Sequence, residues 1–472
     1  MGLSSLQEDL ARLLGAKGWL TDDIGIYQTD WLKMHAHQSL GVARPQTTQD
    51  VSAIMRLAQA ADVPVTPQGG NTSLCAGAVP GAGGHIILSM SRMNQIETVD
   101  TEGFTCITGA GVVLGDLHDL LAKSDLSFPL HLGSGGSAQI GGLIATNAGG
   151  SHALRYGMMQ DLVLGLEVVL PDGRVWNGLR PLIKDNAGYQ LRRLFCGSEG
   201  TFGIVTRAAL RLYPAARNKA TALLAVQDYE TLVQLGRNLR QTLGEFISAL
   251  EFFCDAGLDM LLHHVRGVEY PLETRHPHYL LVELSSTSSA IDLSDLLEDC
   301  LGQAFETGLI RDGAVAANET QRAAMWKLRE EMPEGQRLEG PQIKHDISVP
   351  ISELAGFMKI ATSELRRILP GVRLNPFGHL GDGNVHFNLS PPLGQPDFGA
   401  HKKALSLYIY EAAEAAGGSF AAEHGLGRSK GEFADWLRSP VEQDLMRQLK
   451  TAFDPNGIMN LGVIIPAGEG QE

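Results

Sequence analysis

Cysteine is scarce. Cys75, Cys106, Cys196, Cys254 and Cys300 are scattered through 472 residues and form no CxxC pair. An odd, dispersed set disfavours a disulfide framework or a structural zinc knot and suits a reducing compartment. Each is expected to be a small buried hydrophobe. Long apolar runs are also absent, and none reaches the ~18 residues of a membrane span. The opening MGLSSLQEDLARLLGAKGWL has no basic stretch ahead of an apolar core, so it does not read as a secretory signal. Its Leu6, Leu10, Leu13 and Leu14 keep amphipathic-helix spacing instead. Positive charge is in deficit: 38 Lys and Arg against 53 Asp and Glu leave a net charge of −15. That argues against a nucleic-acid partner or an anionic membrane surface. No internal repeat and no GxxxxGK[ST] occur, the latter disfavouring a Walker-type triphosphatase. The expectation is a cytoplasmic protein without a transmembrane segment, with peripheral membrane contact left open.

What is abundant is glycine, 55 residues and clustered. At ~150 residues per domain the chain has room for two or three domains. Thr48 is expected to cap a helix with apolar Val51, Ile54, Met55 and Ala58. Strands are expected at Val63–Thr66, His85–Ser89, Thr105–Gly109, Leu162–Leu170, Arg174–Trp176 and from Gly203 to Leu212. Beyond Pro214–Lys219 the glycine density drops. Helices are expected there at Tyr229–Leu243 and Leu293–Gly308, with a strand at Tyr279–Leu284. The organisation read from this is a helical segment at 1–37, a nucleotide-binding domain at 38–215, a substrate domain at 216–465 and a frayed tail at 466–472.

Three glycine-rich stretches stand out: Gly69-Gly70-Asn71-Thr72-Ser73, GSGGSAQIGGLIATNAGG over 133–150, and CGSEGTFG over 196–203. Glycines at strand ends let backbone N–H groups converge on phosphate oxygens, and Ser, Thr and Asn add neutral donors. The competing reading is tight turns in a β-rich domain. Gly133-Ser134-Gly135-Gly136-Ser137-Ala138 matches GxGxxA, but the residues after it are too glycine-rich for a helix. No acidic residue stands ~20 positions on to grip a ribose, so the match is a decoy.

The set PxGGNTS, GGLIATNAGG with RYG, PDG and GSEGTFGIVT resembles the FAD-binding domain of the vanillyl-alcohol oxidase and p-cresol methylhydroxylase superfamily over roughly 38–215. The resemblance implies an α+β fold in which two subdomains hold FAD, followed by an α+β substrate domain with an antiparallel sheet. Gly69, Gly70, Asn71, Thr72 and Ser73 would cradle the pyrophosphate, and Pro67 and Ser134 would also belong to the cofactor-binding set. Gly141, Gly142, Thr146, Asn147, Gly149 and Gly150 would follow the ribityl chain and flavin. Glu199, Gly203 and Ile204 would close the adenine side. Covalent members carry a His in the pyrophosphate loop; Asn71 and Thr72 stand there, so non-covalent FAD is expected. His152 has no assigned role.

The second half carries FGHLGDGNVHFN over 377–388, in which Asp382-Gly383 signals a hairpin. Returning strands would let His379 and His386 face one another, and with a carboxylate they suit Zn²⁺, Mn²⁺ or Fe²⁺. Glu423-His424 is read as the end of a small apolar strand before a glycine turn. Arg329, on an expected helix, and Lys344, on an expected strand over 343–350, are cations suited to a carboxylate. His263, His264, His276 and His278 are expected to be solvated.

WKLRE, IKHDISVP, FGHLGDGNVHFN and AAEHGLG resemble the C-terminal domain of FAD-linked oxidases, nearest the branch of D-2-hydroxyglutarate and D-lactate dehydrogenases, with the glycolate oxidase flavin subunit close by. This implies metal ligands His379, His386 and Glu423, zinc foremost. It also implies Arg329 and Lys344 on the substrate carboxylate, Asn388 on substrate, His424 as base and Asn460 near the flavin. Four residues after the Arg the family often has Ser or Thr, and Pro333 stands there instead. The expected reaction is metal-assisted oxidation of a small D-2-hydroxy acid, with hydride passing to the flavin. A quinone, an electron-transfer flavoprotein or a cytochrome would take the electrons, and a homodimer is allowed for. The alternatives are a metallohydrolase built on the same His/His/Glu set, or a non-catalytic flavin subunit of a larger complex.

Overall fold

Thr47 starts the first long helix, Thr48–Ala61: its hydroxyl accepts from Asp50 N while Asp50 reaches back to the Thr47 N–H. The cap therefore lies one residue before the expected Thr48, which turns inward to bond buried Glu167 at 2.5 Å. Val51, Ile54, Met55 and Ala58 are buried as their spacing demands. The computed structural model describes residues 2–466; the rest of the tail expected at 466–472 lies outside the described residues.

Two compact units are present, and each is discontinuous in sequence. The first takes residues up to 150, then 156–214, then from 423 onward; the second takes 151–155 and 215–422. The first unit holds a four-stranded sheet in the order Trp19–Leu20, Ser39–Ala43, His85–Ser89, Val65–Gln68, with its last three strands parallel. It also holds a five-stranded antiparallel sheet ordered Ile96–Asp100, Thr105–Gly109, Ile204–Arg211, Val163–Val169, Val175–Gly178. The expected Val63–Thr66 strand begins two residues later. Met459 bridges to Val65, so the C-terminal segment adds to the edge of the parallel sheet. Leu6 and Leu10 of helix Leu3–Leu14 join the core.

The second unit is built on a seven-stranded antiparallel sheet. Its order is Asp312–Val315, Asn218–Val226, His278–Ser286, Ile247–Cys254, Phe377–His379, Asn384–His386, Asp346–Ser348. Both central strands, His278–Ser286 and Ile247–Cys254, are almost wholly buried. Each nevertheless carries one acid, Glu283 and Glu251. A buried carboxylate survives only if it is well bonded. Glu283 accepts from Trp326 Nε1 at 2.7 Å, Arg322 Nη1 at 2.9 Å and Thr221 and Ser248 hydroxyls at 3.3 Å. His152 stands 3.8 Å away, which supplies the role that the sequence leaves blank.

Burial alone would raise the Glu283 pKa; the His152 hydrogen bond, the Lys219 charge and the Trp326 bond outweigh it and hold it at about 2. A depressed carboxylate stabilises the fold above its ordinary value near 4.5, and that stability is lost as pH falls through 2. Glu283→Gln should remove roughly 3 kcal/mol at neutral pH and flatten the acid limb of stability. Urea unfolding at pH 7 and pH 3 reads this, and equal pH slopes for both proteins would refute it.

Among the described residues no helix is long and apolar enough to cross a membrane. No disulfide joins the five cysteines; Cys75, Cys106 and Cys254 are buried, and Cys196 and Cys300 half-buried.

Candidate functional site

The glycine stretches of the first unit converge. A side chain at Gly70 would lie 2.0 Å from Ser137 O, and one at Gly69 would lie 3.4 Å from Gly142 N, so the 69–73 and 133–142 segments pack backbone to backbone. On their other side Gly133 and Gly136 face open space. Gln139, beside Gly69, is buried with its Oε1 lacking a hydrogen-bond partner among the described residues. A glycine-lined cradle with an orphaned buried acceptor fits a cofactor rich in hydroxyls and phosphates. Gly70→Ala would push the 69–73 segment off Ser137 O and should cost the protein most of its flavin; the ratio of visible to ultraviolet absorbance tests this, and an unchanged ratio counts against the cradle.

The remaining residues on this side are locked by local bonds. Asn71, Asn147, Glu199 and Asn460 all adopt positive φ, at 53°, 48°, 48° and 44°. Such backbones are costly for non-glycine residues and cluster where function demands them. Asn71 Nδ2 donates to Thr29 O at 2.9 Å and Ile26 O at 3.3 Å. Ser73 Oγ accepts from Cys75 N, and Ser134 O accepts from the Ser137 and Ala138 amides. Gly141 N donates to Ala110 O at 2.7 Å, and Thr146 Oγ1 donates to Gly142 O at 3.1 Å. Gly150 admits no side chain, because His131 O would lie 2.3 Å away. Pro67 packs under Gly200, and Gly203 abuts Val169 where strand Ile204–Arg211 begins. Asn460 is buried, its Nδ2 donating to Glu199 O at 2.7 Å and Gly77 O at 2.9 Å.

Glu423 and His424 belong to this same unit. They do not end a strand: Ser419 makes a single bridge to Ser348, and the chain then leaves the sheet. His424 Nε2 lies 3.6 Å from Glu423 Oε1, and both side chains are partly accessible. A side chain at Gly149 would come within 3.4 Å of Glu423 Oε2, so the NAGG segment and Glu423 are immediate neighbours. The carboxylate of Glu199 is buried and accepts from Leu426 N at 2.8 Å and Gly427 N at 2.9 Å. Burial raises its pKa to about 7 against the pull of those two bonds.

In the second unit the hairpin forms at Asp382-Gly383, and Gly383 has φ 79°. His379 pairs with Asn384 and His386 with Phe377, so the two histidines sit diagonally on one face rather than directly opposed. Their ring centroids are 5.6 Å apart. The sequence reading missed Glu251. It is fully buried in the adjacent strand, in register with His379, and accepts from His379 Nδ1 at 2.7 Å and Arg329 Nε at 2.7 Å. Burial would raise its pKa, but His379 and Arg329 together hold it below the usual carboxylate value. A carboxylate on Nδ1 turns the Nε2 lone pair outward, as metal-ligating histidines require. Asp346 was missed too; its Oδ1 lies 3.7 Å from His386 Nδ1 and accepts from Asn384 Nδ2 at 2.9 Å. Imidazoles and carboxylates are the ligand types that a divalent cation takes.

Arg329 lies on helix Glu319–Glu330, buried, over the Phe377 ring at 4.7 Å. Its Nε is engaged by Glu251, and its two Nη groups carry no hydrogen bond among the described residues. The expected strand at 343–350 shortens to Asp346–Ser348, leaving Lys344 before it and exposed. Pro333 opens helix Met332–Glu339, where a missing N–H costs nothing. Asn388 is buried, its Nδ2 bonded to Gln336 Oε1 at 2.8 Å and its Oδ1 accepting from His345 N at 3.3 Å. His263 is exposed as expected, but His264, His276 and His278 are not simply solvated. His264 pairs with Glu339 at 2.7 Å, and His276 with Asp312 at 3.3 Å. His278 packs on Tyr229, and burial lowers its pKa to about 4.

Residues 215–464 match the model of the FAD-linked oxidase C-terminal domain, and residues 39–178 match an FAD-binding domain. The chain is 38% identical over 433 residues to the mitochondrial D-2-hydroxyglutarate dehydrogenase of Danio rerio, covering 91% of this chain and 79% of the relative. It is 35% identical over 451 residues to the D-2-hydroxyglutarate dehydrogenase of Stutzerimonas stutzeri, covering 94% and 95%. Its fold resembles that of p-cresol methylhydroxylase, with a TM-score of 0.77 at 17% identity over 98% of this chain and 97% of the other.

Proposed function

The chain belongs to the FAD-linked oxidases, and on that premise we propose that it oxidises a small D-2-hydroxy acid, D-2-hydroxyglutarate foremost, to the 2-oxo acid. The observation that carries the reading is the shared carboxylate of Glu251, which holds at once a metal-type histidine and an arginine with free Nη groups. Arg329 offers those groups to the substrate carboxylate as a two-pronged fork. Lys344 adds a point charge, and Asn388 contacts the substrate. Together they fix which face of the α-carbon is presented, which sets the preference for one enantiomer. His424 takes the hydroxyl proton; an imidazole suits that task near neutral pH. His379, His386 and Glu423 are the ligands for a divalent cation, zinc foremost, and Asp346 beside His386 is a further donor. Bound FAD supplies the hydride acceptor, and a bound cation supplies polarisation of the substrate hydroxyl. FAD is held without a covalent bond, since Asn71 and Thr72 occupy the positions of the family's linking histidine; acid precipitation should release all of it.

Pro333 replaces a family hydroxyl, so contacts to the distal end of the substrate differ, and D-malate and D-lactate belong in the test panel. The electrons leave to a quinone, an electron-transfer flavoprotein or a cytochrome. The cytoplasm as site of action rests on the sequence reading alone; the zebrafish relative is named mitochondrial, and cell fractionation decides the matter. The deciding experiment is anaerobic. The metal-loaded protein is mixed with D-2-hydroxyglutarate, D-malate, D-lactate, glycolate and the L-isomers while the visible flavin band is followed. One D-acid should bleach it rapidly, chelation should abolish that bleaching, and added Zn²⁺ or Mn²⁺ should restore it. A yellow protein that no acid bleaches would overturn the assignment.

A further inference from the structure

We propose that Glu199 is a positioning residue: its carboxylate, by taking the N–H groups of Leu426 and Gly427, sets the turn that carries Glu423 and His424. Its backbone is anchored on two sides. Glu199 N donates to Ala145 O at 2.7 Å, at the end of helix Ile140–Ala145, and Glu199 O accepts from Asn460 Nδ2 at 2.7 Å. From that anchored point the two carboxylate oxygens reach Leu426 N at 2.8 Å and Gly427 N at 2.9 Å.

The turn is shaped around them. Gly425 and Gly427 have φ of 75° and 53°. A side chain at Gly425 would lie 2.6 Å from Glu199 Oε1, and one at Gly427 would lie 1.8 Å from Cys75 O. Successive amides in such a turn form a concavity that attracts an anion. Here the protein's own carboxylate fills it, so those amides are not available to a ligand. The consequence is a mechanical link: the segment that follows the cofactor glycines fixes the segment that holds the proton acceptor, while Glu199 itself touches neither substrate nor the reacting atoms.

The inference rests on His424 acting as the base, and two readouts separate its failure from failure of that reading. Hydrogen–deuterium exchange of the holoprotein should show the Leu426 and Gly427 amides protected in the wild type and exchanging at least tenfold faster in Glu199→Gln. With the hydroxy acid that bleaches the wild type, Glu199→Gln should keep its FAD yet reduce it at least tenfold more slowly at saturating substrate, with KM little changed. Gly425→Ala presses on the same turn without removing the carboxylate and should show the same pattern, which covers the case in which Glu199→Gln does not fold. Unchanged amide protection would overturn the proposal, as would lost protection with wild-type turnover. Loss of FAD in step with turnover would return Glu199 to the cofactor and also overturn it. If no acid bleaches the wild type, the functional reading falls, and the amide exchange alone decides the clamp.

Discussion

His424→Asn is expected to slow anaerobic flavin reduction by the D-2-hydroxy acid by about 10²- to 10⁴-fold, the range that a positioned general base contributes. Asn keeps a polar side chain of similar reach but offers no basic nitrogen. Glu423 is 3.6 Å away and remains, so the local charge is unchanged. On the proposed reading the substrate carboxylate is bound by Arg329 and Lys344, which this substitution leaves intact, so KM should move little. The loss should therefore fall on kcat, as expected when an interaction made only in the transition state is removed. FAD content should stay at the wild-type ratio, because the cradle is shaped by the backbone of the 69–73 and 133–142 segments. Rate constants at saturating substrate, with the flavin ratio beside them, test this. A variant that bleaches at the wild-type rate would remove His424 as the base. One that loses its flavin would instead make it a structural residue of the cradle.

Glu251→Gln should damage both stability and function. The carboxylate is fully buried and shared by Arg329 and His379, each at 2.7 Å. Removing one partner of a buried ion pair leaves an uncompensated charge, at a cost of about 3–5 kcal/mol. Here the stranded charge is the guanidinium of Arg329, which also stacks on Phe377. On the proposed metal role of His379, losing its carboxylate partner should lower metal affinity about 10- to 100-fold. The expected variant unfolds at markedly lower urea concentration and needs more added metal for full flavin bleaching. Adding Arg329→Gln should recover part of the stability, since the stranded charge is gone, but none of the activity. Denaturation of the single and double variants closes the cycle and measures the coupling. Additive losses would mean that the pair is not coupled, and the shared-carboxylate account would then fail.

The motif glycines and histidines were legible in the sequence because their chemistry is local. Asp382-Gly383 makes its turn from neighbouring residues, and Gly69-Gly70 is conspicuous wherever it lies. Helix Tyr229–Leu243 forms over its expected range, where Asp228 caps it and Leu232, Leu235, Leu239 and Leu243 are buried. Glu251, Glu283 and Asp346 gave no such signal. Each is a single acid in a strand, ISALEFFC, HYLLVELSS or DIS, whose other residues read simply as buried sheet. Their partners lie far off in sequence: His379 is 128 residues from Glu251, and Trp326 is 43 from Glu283.

The unit boundaries show the same division. The sequence reading ran one substrate domain from 216 to 465 because its motifs follow in order. In the folded chain residues 423–466 pack with the first unit, where Asn460 N bonds Val65 O and Glu199 holds Leu426 and Gly427. The sequence by itself determined the donor types, the turns and the periodic elements, because these depend on residues a few positions apart. Only the tertiary structure decided which carboxylate meets which imidazole or amide. That choice is made by strand register and burial, in which residues more than a hundred positions apart are desolvated together and each buried charge is kept only where a partner waits for it.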